Sequence, residues 1–346
     1  MIDIDKLAES EKVFLKEYKI YNHVIGTLSE SVDSDILRSK LNYLADEYLK
    51  LLDQAGKLVK ISDSTQLKLR NTQIKLKEQN EKIAIQNDEL LKANDVQEHL
   101  LDVINRELSR ASDYVKSILP NPIIEADHKV FIDWKFVPSS KLGGDMFGYK
   151  MLDDDNLAIY LLDVCGHGVR SALYSVSVVN AINYKSLPGV DFYSPASVFT
   201  GLNKIFDMRQ HNDLYFTMWY GVYNVQTKLL TYASAGHPPA ILVSKDSKCI
   251  LLESGNFFIG GVPNYRYEES SHKLSQGDCF FIYSDGAYEV RKSEHEYITI
   301  NELKDYLQTN HENENLFDNL FEYIQKINFD EALEDDFSIM KVKINI

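Results

Sequence analysis

The distribution of proline and glycine divides this chain into two parts. All eight prolines lie at or after Pro120, and only two of the sixteen glycines, Gly26 and Gly56, lie before it. Compact domains reverse direction at turns, and turns draw on both residue types. We therefore predict a helical front third, followed from residue 120 to 346 by a turn-rich domain that is long enough for one sizeable core.

The globular part is strongly acidic, since it carries −12 of the chain's formal net charge of −15. Nucleic acids and anionic membranes both attract basic faces, so an acidic domain suits neither. Three distant cysteines, Cys165, Cys249 and Cys279, fit reduced thiols better than a disulfide framework. The charged start does not resemble a signal peptide, and no apolar run approaches the roughly 20 residues of a spanning helix. We expect a cytoplasmic protein.

Residues 1–60 are predicted to form a helical input or dimerisation region. Apolar residues recur at helical spacing over residues 5–30, a turn follows at 31–34, and a second helix is expected to start near Asp35. This region contains no ligand motif. We therefore expect it to bind another protein, either a second copy of the chain or an upstream activator or sensor.

Residues 61–119 are predicted to form a parallel coiled-coil signalling linker. Apolar residues recur every seven positions at Leu69, Leu76, Ile83 and Leu90. The second core position of each heptad lies four residues later and is polar in all four cases, at Gln73, Asn80, Asn87 and Asn94. Buried asparagines fix register and weaken a helix pair, which suits a signal relay. A plain dimerisation rod explains the periodicity equally well, and both interpretations stay open. Pro120 and Pro122 are expected to end the helix.

The rear domain is predicted to be α+β, because strand patterns outnumber helical ones and often follow each other directly. Strands are expected at 130–137, 157–164, 215–225, 228–233, 240–243, 279–283 and 337–344. Helices are expected at 168–185, 195–208, 301–308 and 315–327.

Aspartates recur where these predicted strands end or begin. Asp145 follows two glycines, Asp163 ends one strand, Asp285 ends another, and Asp335 and Asp336 open the last. Each alone is an ordinary turn residue. Four such places in one domain favour a site for hard divalent cations, which prefer carboxylate, carbonyl and water oxygens.

Six motifs carry a resemblance to a known family. They are KLGGDMF (141–147), LLDVCGHGVRSAL (161–173), SAGHPPAILV (234–243), FFIGGV (257–262), GDCFFIYSDGAYEVR (277–291) and DDFSIM (335–340). In this order they resemble the metal-dependent protein phosphatases of the 2C type, in the bacterial branch represented by SpoIIE and RsbU. The resemblance implies an antiparallel β-sandwich flanked by helices over residues 120–346.

The resemblance also implies two Mn²⁺ or Mg²⁺ ions and assigns residues to them. Asp163 is expected to bridge both ions, and the backbone carbonyl of Val164 to join one. Asp285 and Asp335 are expected to hold the other. Asp145 is expected to act beside the pair, so that Asp145 and Asp163 are the principal catalytic candidates.

Three basic residues lie near these motifs, and two of them have two interpretations each. His167 is either an acid for the leaving group or a structural residue at a helix start. Lys141 either meets the substrate phosphate or is an exposed charge. His237 is expected to hold a turn.

The implied activity is hydrolysis of phosphoserine or phosphothreonine on a regulatory protein, of the anti-sigma-factor antagonist type. The implied regulation runs through the coiled coil of a homodimer, by way of the helix at 168–185. The alternative is a catalytically weak or inactive scaffold that binds a signalling partner. Hydrolysis of small phosphoesters is a third hypothesis.

Overall fold

The computed structural model describes residues 15–28, 33–123, 129–211, 213–293, 295–329 and 333–345, apart from the side chain of Leu52. The chain divides into two compact units, Met1–His99 and Leu100–Ile346. The predicted helical residues 5–14 and the turn at 31–32 lie outside the described residues. The predicted divisions at residues 60 and 120 stay predictions.

The first unit contains α1 (Leu15–Leu28) and most of the helix α2 (Ser34–Ile118). Glu47 on α2 joins the two helices, because its carboxylate lies 2.8 Å from the ammonium groups of both Lys16 and Lys50. The four apolar residues of the predicted seam, Leu69 to Leu90, are 52–60% exposed. None of the described helices has the length and apolar character that crossing a bilayer requires.

The end of α2 belongs to the core of the second unit. Val115 and Leu119 are buried there, and Leu108 and Ala111 pack against the same core. The helix stops at Ile118, as the two following prolines predict. The last positions of the predicted heptad frame therefore contact the globular unit, and the seam free to pair with a second helix is shorter than the sequence indicated.

Two antiparallel five-stranded sheets form the second unit. One has the strand order β2-β3-β4-β5-β8 and the other β1-β12-β9-β6-β7, while β10 and β11 form a separate hairpin. The strands are β1 (Val130–Val137), β2 (Met146–Met151), β3 (Asn156–Val164), β4 (Phe216–Asn224), β5 (Leu229–Ala235), β6 (Ala240–Val243), β7 (Cys249–Leu252), β8 (Ser270–Lys273), β9 (Cys279–Tyr283), β10 (Arg291–Ser293), β11 (Glu296–Tyr297) and β12 (Phe337–Ile344).

Helices cover the outer faces of this sandwich. The helix α3 (Val169–Asn183) packs on β2 and β3, and α4 (Pro195–Ile205) packs on β4 and β5. The helices α5 (Ile300–Asn310) and α6 (Leu316–Ile327) share a second core with the other sheet. The predicted β-sandwich flanked by helices is therefore confirmed.

Side-chain alternation explains how one sheet serves two cores. In β9, Phe280 and Ile282 face the core between the sheets, whereas Phe281 and Tyr283 face the helices α5 and α6. Successive side chains of a strand point to opposite faces, so a strand covered on both sides is apolar throughout. The ring of Trp219 on β4 lies 5.8 Å from that of Phe280, which marks the contact between the two sheets.

Candidate active site

One edge of the first sheet places two aspartates side by side. Asp163 is the penultimate residue of β3, and Asp145 directly precedes β2. Because Met146 pairs with Leu162 in the antiparallel register, Asp145 lies opposite Asp163. The charge of Asp163 raises the pKa of Asp145, as expected for two carboxyl groups that are close neighbours.

The second sheet brings its own aspartates to the same place. Asp285 follows the end of β9 and opens a short 3-10 helix, whereas Asp335 and Asp336 precede the start of β12. Since β9 and β12 are antiparallel neighbours, the end of one meets the start of the other. The predicted Asp145, Asp163, Asp285 and Asp335 therefore converge where the edges of the two sheets meet.

Two serines join the sheets at this edge. The Ser338 hydroxyl donates to the Asp145 carboxylate over 2.6 Å, and the Ser338 amide donates to the Ser284 hydroxyl over 3.1 Å. The Ser284 hydroxyl in turn donates to the Asp336 carbonyl over 2.9 Å. All four residues are buried, so this chain of hydrogen bonds fixes the distance between the sheets.

Asp336 holds the site together, a role that the sequence did not assign to it. Its carboxylate accepts hydrogen bonds from the amides of Ser139, Gly144 and Asp145, over 2.8, 2.6 and 3.3 Å. The Ser139 hydroxyl donates to it over 3.1 Å. Asp336 is 2% exposed, and a buried carboxylate is stable when donors surround it. The adjacent acid pair was a visible signal, but its partners lie almost 200 residues away.

Glycines allow the chain segments to approach each other here. A Cβ atom on Gly143 would lie 2.3 Å from the Asp336 carboxylate, and one on Gly286 would lie 2.2 Å from the Asp336 carbonyl. A Cβ atom on Gly144 would lie 2.8 Å from the carbonyl oxygen of Val164. These contacts are shorter than any side chain tolerates, so the motif glycines are required by the close packing around the acids.

The carboxyl groups of the site resist ionisation. Burial raises the pKa of Asp163 to about 8, with further contributions from Asp285, Asp335 and Asp336. Burial and the charges of Asp163 and Asp336 raise the pKa of Asp145 well above its usual range. Partial burial and the charge of Asp285 raise the pKa of Asp335 to about 6. The physical cause is the same throughout, since several carboxylates share a poorly hydrated space.

The residues present fit divalent cations. The donors are oxygens, one carboxylate oxygen of Asp285 is buried without a hydrogen-bond partner, and a cation would relieve the repulsion that raises the pKa values. Within the described residues, no group of three or more Asp, Glu, His or Cys side chains is arranged to hold a metal ion. An ion here would therefore need backbone carbonyls and water to complete its ligand shell, as hard cations commonly do.

The basic candidates differ in exposure. His167 is exposed, lies between Gly166 and Gly168, and follows Asp163 by four residues. Lys141 is exposed beside the buried Leu142. His237 is buried, its Nδ1 lies 2.9 Å from the Thr217 hydroxyl, and its carbonyl accepts a hydrogen bond from Ser234. It therefore holds a turn, as predicted.

The helix α3 is bonded directly to the site. The Ser175 hydroxyl donates to the carbonyl of Gly144, and the Ser171 hydroxyl donates to the carbonyl of Cys165 over 3.3 Å. Both carbonyls belong to segments that carry a site aspartate. A displacement of α3 would therefore move the backbone next to Asp145 and Asp163.

Comparison with known proteins agrees with this geometry. The family model described as Stage II sporulation protein E (SpoIIE) matches residues 153–345, more than half of the chain. The chain belongs to the SpoIIE family. Asp163, Asp285 and Asp335 lie inside the matched range, whereas Asp145 lies just before it.

Two curated relatives are phosphatases by name. The chain is 28% identical over 210 residues to phosphoserine phosphatase RsbU of Bacillus subtilis, which covers 60% of this chain and 61% of that protein. It is 30% identical over 192 residues to phosphoserine phosphatase RsbP of the same organism, covering 54% of this chain and 46% of that protein. The matched part thus spans about half to three fifths of these relatives.

A solved structure supports the fold. The SiaA-PP2C domain of Pseudomonas aeruginosa superimposes with a TM-score of 0.60 at 19% identity, covering 70% of this chain and 98% of that domain. At this level of identity the comparison shows the fold. It confirms that the sandwich described above is of the PP2C type.

The raised pKa of Asp163 predicts how the metal-free protein responds to pH. The folded state keeps a proton that the unfolded chain releases near pH 4, so the contribution of Asp163 to stability is fully present below pH 4 and is lost as pH rises towards 8. For one such group the slope is about 1.4 kcal/mol per pH unit. Urea unfolding in a chelator should show this decline between pH 5 and 8, and Asp163→Asn should reduce it. Equal slopes for both proteins would contradict the shared burial of the acids.

The hydrogen bonds that the Asp336 carboxylate accepts are expected to stabilise the folded protein. In Asp336→Ala, the buried amides of Gly144 and Asp145 lose their acceptor, which should lower the free energy of unfolding by about 3 kcal/mol. The control is Asp154→Ala, because Asp154 is an exposed aspartate in the same domain. Chemical denaturation of both variants measures the difference. Similar stabilities for the two would show that the carboxylate does not anchor this edge.

Proposed function

We propose that this chain is a metal-dependent protein serine/threonine phosphatase, which hydrolyses phosphoserine or phosphothreonine on a regulatory protein. The observation that carries the proposal is the convergence of Asp145, Asp163, Asp285 and Asp335 where the two sheets of a PP2C sandwich meet. Membership of the SpoIIE family and the similarity to two named phosphoserine phosphatases support it.

In this proposal, two Mn²⁺ or Mg²⁺ ions are held mainly by Asp163, Asp285, Asp335 and the carbonyl of Val164. When bound, such ions lower the pKa of water and neutralise charge on phosphoryl oxygens. Asp145 lies opposite Asp163, where a carboxylate can orient water, and the Ser338 hydroxyl fixes its position. No side-chain nucleophile is required, so the three cysteines have no assigned role.

Two basic residues complete the proposed site. His167 is exposed and follows Asp163 by four residues, where an imidazole can protonate the departing serine oxygen. Lys141 is exposed on the segment that leads to Asp145, where it can meet a substrate phosphate. We assign them these secondary roles.

The finer identity of the substrate rests on the relatives. RsbU and RsbP are named phosphoserine phosphatases, and we propose a phosphorylated regulator of the anti-sigma-factor antagonist type for this chain. The cysteines described in the structure, Cys165, Cys249 and Cys279, are free thiols. Free thiols suit the reducing cytoplasm, where we place the reaction.

A phosphatase assay tests the proposal. Purified full-length protein should hydrolyse p-nitrophenyl phosphate and a phosphoserine peptide when Mn²⁺ or Mg²⁺ is added, and chelation should abolish the activity. Asp163→Asn and Asp285→Asn should each lower kcat at least about 100-fold, because each removes a carboxylate that would bind metal. The matched control is Asp154→Asn, which changes an exposed aspartate and should keep full activity.

Two outcomes would contradict the assignment in different ways. Absence of hydrolysis with either metal would favour the scaffold hypothesis, in which the sandwich only binds a partner. Activity that survives both substitutions would show that the reaction does not use the converged acids. Activity on p-nitrophenyl phosphate without activity on any phosphopeptide would favour a small phosphoester as substrate.

We further propose that α2 pairs with the α2 of a second copy as a parallel coiled coil and regulates the phosphatase. The apolar seam residues are more than half exposed in one chain, and burying them in a pair removes apolar surface from water. Within the second unit, the end of α2 packs on the domain core. Pairing of the helices therefore has a covalent route to the core that carries the site.

Two isoleucines on α2 provide a matched test of the pair. Ile83 lies on the seam and Ile85 lies outside it, and the two are 52% and 61% exposed. Ile83→Asp should convert the dimer to a monomer in analytical ultracentrifugation and change kcat or the metal requirement, whereas Ile85→Asp should do neither. A wild-type protein that stays monomeric at micromolar concentration would refute the coiled coil.

A further inference from the structure

A chain of aromatic side chains lies on the surface of the second unit, and we call it the aromatic rim. It consists of Tyr215, Phe257, Phe258 and Tyr265. The ring of Phe258 lies 4.3 Å from that of Tyr215 and 4.2 Å from that of Phe257, while Tyr265 lies 6.2 Å from Phe257. Phe257 is 42% exposed, although burial of a phenylalanine side chain is worth about 1.5–3 kcal/mol.

The aromatic rim is continuous with the row of acids. Asp163 pairs with Thr217 across β3 and β4, and the register of β4 and β5 places Gly236 next in that row. A Cβ atom on Gly236 would lie 3.0 Å from the Cβ of Phe258. The rim therefore begins where the row that contains Asp163 ends.

A second connection ties the rim to the same segment. The amide of Tyr215 donates to the sulfur of Cys165 over 3.3 Å, and the amide of Cys165 donates to the carbonyl of Tyr215 over 3.1 Å. Cys165 follows Asp163 by two residues. The rim is therefore joined through the backbone to the segment that carries Asp163.

The loop that carries the rim is held in one conformation by two asparagines. Asn203 accepts from the amide of Gly260 over 2.8 Å and donates to the carbonyl of Val262 over 2.9 Å. Asn256 accepts from the amide of Glu268 over 2.8 Å and donates to the carbonyl of Ser234 over 3.2 Å. Preorganised aromatic side chains bind with a small loss of conformational entropy.

Charge identifies the kind of contact that this surface makes. The globular part carries −12, and a phosphoserine adds about −1.5 to −2 to its own segment at neutral pH. The phosphoserine segment therefore gains no attraction from the net charge of the domain, and local contacts must contribute to its affinity. Exposed Phe and Tyr side chains are frequent hot spots of such interfaces.

We propose that the aromatic rim is the docking surface for the protein substrate, and that it binds apolar residues that flank the phosphoserine. This inference rests on the proposed phosphatase function and adds to it the chemistry of the recognised sequence. Phe257 is the principal specificity residue, because it is the most exposed ring of the rim.

Two synthetic phosphoserine peptides of equal length and charge test the rim. One carries Leu, Ile and Phe around the phosphoserine, and the other carries Ser, Gly and Asn. For the full-length protein, kcat/KM should be at least about tenfold higher for the apolar peptide, as expected for one aromatic hot spot. In Phe257→Ala this preference should disappear, while hydrolysis of p-nitrophenyl phosphate stays unchanged.

Tyr323→Ala is the matched control. Tyr323 is 43% exposed and its ring lies 5.5 Å from that of Tyr306, but it lies on α6, which shares a core with the other sheet. This variant should keep the preference for the apolar peptide. Equal kcat/KM for both peptides, or a preference that survives Phe257→Ala, would overturn the docking proposal.

A binding measurement separates this proposal from the proposed activity. Fluorescence anisotropy of the two labelled peptides with Asp163→Asn, alone and combined with Phe257→Ala, reads the preference without turnover. If Asp163→Asn binds the apolar peptide preferentially through Phe257, and the wild-type protein hydrolyses neither peptide, the rim is supported and the phosphatase function is rejected. Hydrolysis by the wild-type protein, with equal binding of both peptides, would support the phosphatase function and reject the rim as the docking surface.

Discussion

The repulsion between carboxylates at the meeting edges of the two sheets is the constraint on which this structure depends. Asp145, Asp163, Asp285 and Asp335 are brought together at a cost that appears as raised pKa values. Such a cluster persists only because the surrounding structure holds it. The two cores of the sandwich supply that stability, and a metal ion would supply more, since binding to the folded state alone stabilises it.

Asp336 differs from these four acids because hydrogen-bond donors surround its carboxylate. Two buried backbone amides, a third amide and a hydroxyl point at its carboxylate. The adjacent Asp335 accepts from the amide of Asp336 and otherwise belongs to the repelling group. One residue of the pair, Asp336, thus holds the loop before β2 against β12, and the other, Asp335, belongs to the proposed metal site. This division of roles requires glycine at positions 143, 144 and 286, where backbone and carboxylate come into contact.

The sequence predicts those features of the architecture that depend on neighbouring residues, and it misses those that depend on residues far apart in the chain. The strands Ala240–Val243 and Cys279–Tyr283 have the predicted bounds, because strands buried on both faces are apolar throughout. The strand Phe337–Ile344 also has the predicted bounds, although it contains Ser338, Lys341 and Lys343. The short edge strands β7 and β8 were not predicted, since they are four residues long and partly exposed. The four acids of the site were predicted from their place at strand ends. The role of Asp336 was not, because it depends on amides that only the folded chain brings near.

The end of α2 also shows what a sequence pattern cannot predict. Heptad spacing continues to Ile118 in the sequence, but Leu108, Ala111 and Val115 pack on the domain core. A period of seven marks one face of a helix without specifying what covers it. In the proposed dimer this face would both pair with a second helix and pack on the domain core, so helix pairing and core packing would involve neighbouring residues. Because Ser171 and Ser175 bind α3 to the backbone beside the acids, any shift that reaches α3 through the core is transmitted to the carboxylates themselves.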